Sequence, residues 1–551
     1  MRAKSRNKQW ESFFSALVTG RRKHVVQIVV FIAGSIACGA YSVRLGAFNT
    51  WDMRNYQFYS PYALLNGRFD LDYAAAQIQT FLNPLPFVPF YAAVTHLKPV
   101  VAGFVMGGMH GLAAGLVFLI ALTLFSSAAP LARVLLSLSC AALGIYGPTF
   151  IGMLGGSGND NLLSPFVLAA VYVLIRGIMA HGAPDARAAR KTLLISGLLF
   201  GAAAGMKLVC IMFLLGSGIA IFVAGRELRS RLTATAFFVV AGVVGFVLTR
   251  GYWMAFLWSK YDSPLFPFYN TIFDSPYYYL KDFADVRFIP KTLSGALSLP
   301  FHFATDNYFT DMSHHFRDIR YPIVYVLILL LLIALATKRF RGRSTPALSS
   351  FGRVETFLIV FFAVSYVIWQ AKFAIMRYIV PLELLAPIVI AVVMRSLVPG
   401  RSLRLTVTFA VFVVVAVVMR PRDVPRQDWS SAYIDVQAPQ LEDPSNTLII
   451  IANNRPWAYV IPFFQPEVNF VGLCNNFGRP DPGSQHRATD EMEALVRSHR
   501  GQIYLLSNAS GFDNALQCLQ PLNIVQASEE CLIVSSGHER ELLCLLPVEV
   551  R

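Results

Sequence analysis

The sequence predicts a polytopic α-helical membrane protein of about eleven spans, closed by a small extracytoplasmic α/β domain. Three observations predict it. Of 551 residues, 55% are apolar and only 14% charged, with a mean hydropathy of +0.52, a composition that excludes an ordinary soluble protein. Apolar runs near the length of a span, about 20 residues, recur as far as residue 420. Beyond that point short strand-like and helix-like segments alternate instead.

Candidate spans lie near 25–47, 100–125, 134–154, 162–180, 192–206, 208–225, 232–249, 321–337, 354–371, 378–397 and 403–419. Lys and Arg are retained on the cytoplasmic side, and here they cluster at alternate connections. The tail 1–24 carries Arg2, Lys4, Arg6, Lys8, Arg21, Arg22 and Lys23. The later clusters are Arg187, Arg190 and Lys191; Arg226, Arg229 and Arg231; Lys338, Arg339, Arg341 and Arg343; and Arg401 with Arg404. All fall on one side when eleven spans separate them. The expectation is a cytoplasmic N-terminus and a periplasmic C-terminus in a bacterial inner membrane. The net charge of +15 then reflects topology and contact with anionic lipids, and no nucleic-acid partner is expected. The first apolar segment is long and lacks a convincing small-residue cleavage site, so it is read as a retained anchor; Ser35-Ile36-Ala37-Cys38 is a faint lipoprotein-like match.

The membrane domain is assigned 25–420, with outer loops 48–99 and 250–320, and the periplasmic α/β domain 421–551. In the first loop, Ser60-Pro61 before Tyr62 to Asn66 and then Gly67 signals a short helix, and a second interfacial helix is expected over Tyr73 to Leu82. The second loop is dense in aromatics, with Asp282, Asp285, Arg287 and the pair His314-His315 as its polar groups. In the terminal domain, strands are expected at Thr447 to Ala452, Val468 to Val471 and Gln502 to Leu506, and helices at Pro456 to Phe464 and Ala488 to His499. No Gly-rich phosphate loop precedes those helices, so the domain is given support or acceptor binding. Cys38, Cys140 and Cys210 lie in spans as buried apolar residues. Cys474, Cys518, Cys531 and Cys544 are an even set in an oxidising compartment and suit one or two disulfides, with three pairings open.

Asp52 is the leading catalytic candidate. It sits in the polar, aromatic run Asn49 to Tyr59 directly after the first span, where a carboxylate can take a proton from an attacking hydroxyl; a partner for Arg54 or a helix cap is the plain alternative. Arg54, Asn55, Tyr56 and Tyr59 are candidate substrate contacts around it. Asp70 and Asp72 form an Asp-x-Asp pair whose weaker reading is a divalent cation site and whose commoner one is a turn; no other cofactor is indicated. Gly155 to Asn161 is a glycine-rich inter-span loop in which backbone can approach a ligand and Asp160 can bind hydroxyls. Lys207 stands at the centre of the apolar tract 192–225, too long for one span and short for two, which predicts a tight hairpin with the lysine at its outer tip. Left in hydrocarbon it would cost about 2.5–3.5 kcal/mol, so it needs water, a lipid phosphate or an acid. Arg377 with Tyr378 precedes a late span bearing Pro381 and Glu383. Arg377 is the choice for a lipid phosphate, with Glu383 either orienting it or forming an inert structural ion pair, and Asp285 with Arg287 as polar groups of the second outer loop.

At these residues the chain resembles the GT-C superfamily of integral-membrane glycosyltransferases, which use polyprenyl-phosphate-linked sugars. The resemblance rests on Trp51-Asp52 after span one, Asp160 in a short outer loop, and Arg377-Tyr378 before Pro381. It is also similar to bacterial multi-span proteins with motifs like those at Asn55 to Gly67 and Pro264 to Asn270. The resemblance implies an outward-facing cavity, Asp52 as base, inversion at the sugar carbon, and Arg377 with Lys207 stabilising the departing phosphate. No Asp-Glu pair or Trp-Trp-Asp signature follows span one, so protein mannosylation and N-glycan transfer are not indicated. The resulting expectation is an inner-membrane glycosyltransferase that moves one sugar from a polyprenyl-phosphate donor to a glycan or lipid acceptor. A flippase of lipid-linked glycan, or a glycan polymerase or ligase, is the alternative; the absence of an internal repeat weighs against a transporter.

Overall fold

In the computed structural model of the chain, the described residues are 20–180, 186–305, 315–341, 352–478, 486–539 and 541–551. Arg2, Lys4, Arg6, Lys8, His314 and Arg343 lie outside them, as do the side chains of Arg21, Arg22, Lys338, Arg339 and Arg341.

The bundle consists of α1 (Gly20–Leu45), α2 (Pro99–Leu124), α3 (Pro130–Ile145), α4 (Asn159–Ala180), α5 (Ala186–Met206), α6 (Ile211–Ala224), α7 (Leu228–Tyr261), α8 (Arg320–Arg341), α9 (Arg353–Lys372), α10 (Val380–Leu397) and α11 (Arg401–Val418). Among the described residues eight helices, α1, α2, α4 and α7 to α11, are long and apolar enough to cross a membrane; α3 is a shorter apolar helix, and so is Leu208–Ala224, which contains α6. The protein is therefore a multi-pass membrane protein. The segment expected at 134–154 stops at Ile145, because Gly147 and Pro148 break the run and start a separate turn, Pro148–Gly152. The second outer loop starts later than expected: α7 carries Arg250 and the aromatic residues after it onward to Tyr261 as continuous helix.

The α10 helix is buried along nearly its whole length, with Leu382 to Ile390 sealed at the centre of the main core. Close seams are made by glycine. Gly201 of α5 meets the backbone of Gly242 in α7, where any Cβ would collide. Gly197 faces Phe238 and Ala241, and Gly205 faces Phe246 and Thr249, so α5 and α7 run parallel, while Leu214 of α6 returns to Gly242. The chain thus makes the hairpin expected around Lys207. At the far end of the bundle Lys23 lies within electrostatic reach of Arg176 and Arg133, Arg353 donates to the Ala224 carbonyl at 3.0 Å, and Arg395 pairs with Glu355.

The first loop folds into a π-helical turn Met53–Gln57, the helix Tyr59–Leu65, three short 3-10 turns and a second helix Val88–His96. The helix expected over Tyr73 to Leu82 is replaced by an isolated bridge from Tyr73 to Val471 and the 3-10 turn Gln77–Phe81, since Ala74 and Gln77 adopt positive φ and cannot continue an α-helix.

A ribbon of β1 (Ala47–Phe48) and β2 (Arg426–Gln427) ties the end of α1 to the chain leaving α11. Arg426 locks it, donating to the carbonyls of Gly46, Gly152 and Leu154 and stacking on Phe48. The terminal sheet holds β3 (Val436–Gln437), β4 (Thr447–Ala452), β5 (Asn469–Leu473), β6 (Gln502–Asn508), β7 (Ile524–Gln526), β8 (Leu532–Ser536) and β9 (Leu543–Val550). Its order is β3-β8-β9-β6-β4-β5 with β7 beside β9; β4 pairs in parallel with β5 and β6, and the β9 side is antiparallel. The helices α12 (Arg487–Ser498) and α13 (Phe512–Leu519) join it. The expected strands over 447–452, 468–471 and 502–506 and the helix over 488–499 are present within a few residues; Pro456 to Phe464 is a 3-10 segment, Ala458–Phe463, instead of an α-helix. The four extramembrane cysteines pair as Cys474–Cys518 and Cys531–Cys544, and Cys38, Cys140 and Cys210 are free and buried.

Candidate active site

Four separated pieces of sequence converge on the face that carries the first loop. Asp52 enters the π-helical turn, Asp160 lies in the first turn of α4, Lys207 occupies the break between α5 and the 3-10 turn Leu208–Cys210, and Arg377-Tyr378 sits in the 3-10 turn Met376–Ile379 leading into α10. The break is local chemistry. Lys207 takes an extended conformation, φ −142° and ψ 111°, that ends the helix and turns its long side chain toward α4.

Arg377 donates from Nη1 to Asp52 Oδ2. Lys207 Nζ lies 2.6 Å from Asp160 Oδ1 and donates to Asn159 Oδ1 at 2.9 Å. Both cations approach one aromatic ring. Lys207 Nζ is 4.7 Å and Arg377 Cζ 5.6 Å from the centroid of Tyr378, so both lie within cation–π range, about 6 Å. The side chains of Asp52 and Arg377 keep 19% and 26% of their surface, which leaves both reachable by a ligand. Below them Tyr56 is buried, and burial first, then the Asp52 carboxylate, push its phenol well above the usual range. A polar chain supports it: Ser157 donates to Gln57 Oε1, and Gln57 Nε2 donates to the Tyr56 hydroxyl at 3.3 Å. The arrangement offers a carboxylate acceptor for a proton and two cations for an anion, all on one face.

Asp285 and Arg287 form their own pair, with Nη2 to Oδ2 at 2.7 Å. Hydrogen bonding from Arg287 holds the Asp285 carboxyl below its usual range, and Arg377 adds to the effect, so the pair lies within the field of the central cluster. An apolar groove of about 670 Å³ runs between the helix Leu293–His302, α8 and α9, lined by Leu297, Val324, Ile328, Phe362 and Val367 among others. It begins at Ile289, two residues past Arg287, and reaches Gln370 and Ala371, shortly before Arg377.

Residues 81–365, just over half of the chain, match the family model described as glycosyltransferase family 87. The chain belongs to glycosyltransferase family 87. The expectation of a membrane glycosyltransferase is met by that membership. The matched segment contains Asp160, Lys207, Asp285 and Arg287, while Asp52 precedes it and Arg377, Tyr378 and Glu383 follow it. No curated protein matches the sequence. Among solved structures, the crystal structure of ArnT from Cupriavidus metallidurans bound to undecaprenyl phosphate is 14% identical, with a TM-score of 0.49 over 94% of this chain and 97% of that one.

Several expected substrate contacts of this family 87 protein are engaged elsewhere. Arg54 turns to the terminal domain, 2.5 Å from Glu539 and donating to the His538 carbonyl at 3.2 Å. Asn55 is buried and donates to the Ala76 carbonyl and the Gln79 side chain. Tyr59 is fully buried with its hydroxyl on Asp72 Oδ2 at 2.9 Å, and Arg68 meets the other oxygen of that carboxylate at 2.5 Å. Asp70 instead pairs with Lys260 at 2.5 Å, so the Asp-x-Asp carboxylates diverge and do not form a cation site together. Among the described residues no cluster of three or more His, Cys, Asp or Glu side chains suits a metal. Glu383 does not orient Arg377. It accepts from the backbone N–H groups of Thr149 and Phe150 and lies 3.8 Å from Arg320, itself paired with Asp318 at 2.5 Å. The glycine-rich loop serves packing: side chains at Gly155, Gly156 and Gly158 would strike Ser42, Phe48 and Met153.

Sequence reasoning missed Gln57 and Ser157, whose roles exist only through a contact across the fold. It also missed Arg250, 2% exposed, whose Nε and Nη2 find no partner and which has no carboxylate beside it among the described residues. The available signal was a lone guanidinium at the end of an apolar run.

Proposed function

We propose that this family 87 enzyme transfers one sugar from a polyprenyl-phosphate donor to a glycan or lipid acceptor on the periplasmic face of the bacterial inner membrane. The observation that carries the reading is the pair of cations, Arg377 and Lys207, both within reach of the Tyr378 ring and each held by an acid, Asp52 and Asp160. The chemistry requires this combination. The acceptor oxygen bonds to the anomeric carbon as the bond from that carbon to the phosphate oxygen breaks, with inversion. The acceptor proton passes to Asp52, and the electron pair leaves with the lipid phosphate. A phosphodiester with one negative charge thereby becomes a monoester with two, and Arg377 and Lys207 stabilise the added charge.

While Arg377 holds Asp52, the carboxylate is occupied. Phosphate oxygens recruiting the guanidinium would release Asp52 to act as base, so donor binding arms the site. The groove from Ile289 to Ala371 is apolar and lies between membrane helices, which suits an isoprenoid tail. Asp285 and Arg287, within the electrostatic reach of Arg377, are the further polar groups offered to the donor sugar. A flippase could use the same cations, but it needs no base beside them, and membership in a glycosyltransferase family favours the enzyme.

The test is sugar transfer from a panel of radiolabelled polyprenyl-phosphate sugars by purified protein in liposomes, wild type beside Asp52→Asn. Transfer lost in the variant supports the reading. Lipid movement across the bilayer with no new glycosidic bond would replace it with the flippase.

A further inference from the structure

The terminal domain carries a crevice of about 340 Å³ at the carboxyl ends of β4 and β6, within the size range of small-molecule sites, about 300–1,000 Å³. The chain runs from β4 to β5 on one side and then crosses to β6 on the other, which makes the β4/β6 boundary the topological switch point where open α/β sheets leave a binding crevice. We propose that this crevice is a subsite for a neutral saccharide portion of the acceptor, a reading that takes its direction from the glycosyl-transfer role proposed for Asp52.

The lining selects the ligand class. It consists of Asn453, Asn454, Arg455, Asn508, Ser510 and Asn514, with Gly511 and the Cys474–Cys518 disulfide as part of its wall. Amides and hydroxyls both donate and accept, as sugar hydroxyls do. Arg455 is the one charged residue of the lining, and the Glu541 carboxylate behind it accepts from Asn508 Nδ2 and from the Ser510 hydroxyl at 2.8 Å, a balance that disfavours a nucleotide or a polyphosphate. One buried polar atom of the lining lacks a partner, Asn453 Nδ2. The opposite end of the Asn453 amide is committed, accepting from the Arg455 N–H at 2.7 Å, so Nδ2 is held in a fixed direction. An unmet donor in a preformed crevice is what a ligand hydroxyl would satisfy.

The crevice also adjoins the candidate active site. The Trp51 indole N–H donates to the Asn454 carbonyl at 3.2 Å, and Gln77 Nε2 donates to the Arg455 carbonyl at 3.1 Å. Trp51 is the neighbour of Asp52 and is half-buried, which leaves part of an aromatic face on the path between crevice and base. An acceptor held by its inner sugars in the crevice would present its outer hydroxyl toward Asp52.

The experiment is equilibrium binding of labelled neutral di- to tetrasaccharides to the full-length protein in detergent, with wild type, Asp52→Asn, Asn453→Leu and Asn514→Leu side by side. Wild type and Asp52→Asn should bind a common subset of the panel, and each leucine variant should bind it about tenfold more weakly or worse. Asn514 is exposed, so that variant tests the crevice even if Asn453→Leu does not fold. Equal binding in a folded leucine variant, or no saccharide bound by wild type, overturns the subsite. Transfer persisting in Asp52→Asn would overturn the base assignment instead and would leave the binding result standing.

Discussion

Arg377 and Asp52 meet across 325 residues of sequence, and the guanidinium that joins them is the same group that shares the Tyr378 ring with Lys207. That bond makes the resting state of the site a neutral pair instead of a free base beside a free cation. Any anion able to compete for Arg377 changes both partners at once.

Replacing Asp52 by Asn keeps the shape and removes the proton acceptor. Transfer should fall about 10²- to 10⁴-fold, the usual weight of general base catalysis. Donor binding should survive, because Arg377 loses a competitor and gains no new one. A photo-crosslinkable polyprenyl-phosphate sugar measures binding and radiolabelled product measures transfer. Loss of both together would make the bond between Asp52 and Arg377 structural and the base some other group.

The pair of Lys207 and Asp160 separates stability from function. Lys207→Met leaves an Asp160 carboxylate, 6% exposed, without its cation, and breaking a buried pair typically costs about 3–5 kcal/mol. Adding Asp160→Asn removes the stranded charge and should restore most of the thermal stability. Transfer should stay depressed in the double variant, since the second phosphate ligand is still missing. Recovery of activity along with melting temperature would show that Lys207 only balances Asp160.

How much of this was legible in sequence depends on whether the signal was local. A lysine in the middle of an apolar tract announces itself, and Lys207 stands where that argument put it, in the break of a hairpin. The strands at Thr447 and Gln502 were readable from short apolar runs, whereas β7, β8 and β9 depend on pairing with one another across turns. Directions around a helix were not readable. Arg54, Asn55, Tyr56 and Tyr59 are neighbours in sequence, but the π-helical turn sends Arg54 to Glu539, Asn55 to Ala76 and Tyr56 beneath Asp52, and Tyr59 goes to Asp72. Glu383 fails for the same reason. Arg377 lies in a 3-10 turn and Glu383 in the helix that follows it, and the cation beside Glu383, Arg320, lies 63 residues earlier in sequence.

The junction at Arg54 should be sensitive to acid through His538. Burial holds this imidazole down at about 4, its Nε2 faces the Tyr433 carbonyl at 3.1 Å, and its own carbonyl accepts from Arg54. The ring is therefore neutral in the folded protein, while in the unfolded chain it takes up a proton near pH 6.5. Its contribution is fully present above that value and is lost as pH falls from about 6.5 toward 4, a change of about 3 kcal/mol. Melting temperature of the purified protein should drop across that window. His538→Gln, which cannot be charged, should flatten the curve, and an unchanged acid limb in that variant would assign the effect to other groups.

The Cys474–Cys518 bond joins the end of β5 to α13 and encloses 44 residues of sequence separation. A loop of that length restrains the unfolded chain by about 4 kcal/mol in the chain-entropy treatment. The double variant Cys474→Ala/Cys518→Ala should therefore lower the unfolding free energy of the terminal domain by a comparable amount, read by limited proteolysis in increasing urea. The two sulfurs also form part of the crevice wall beside Asn514 and Ala515, so the same variant should lose saccharide binding at a urea concentration where the wild-type domain still holds it. Cleavage of the domain at the same urea concentration in both proteins would mean that the sheet and its buried strands β4 and β6 suffice to hold the crevice closed.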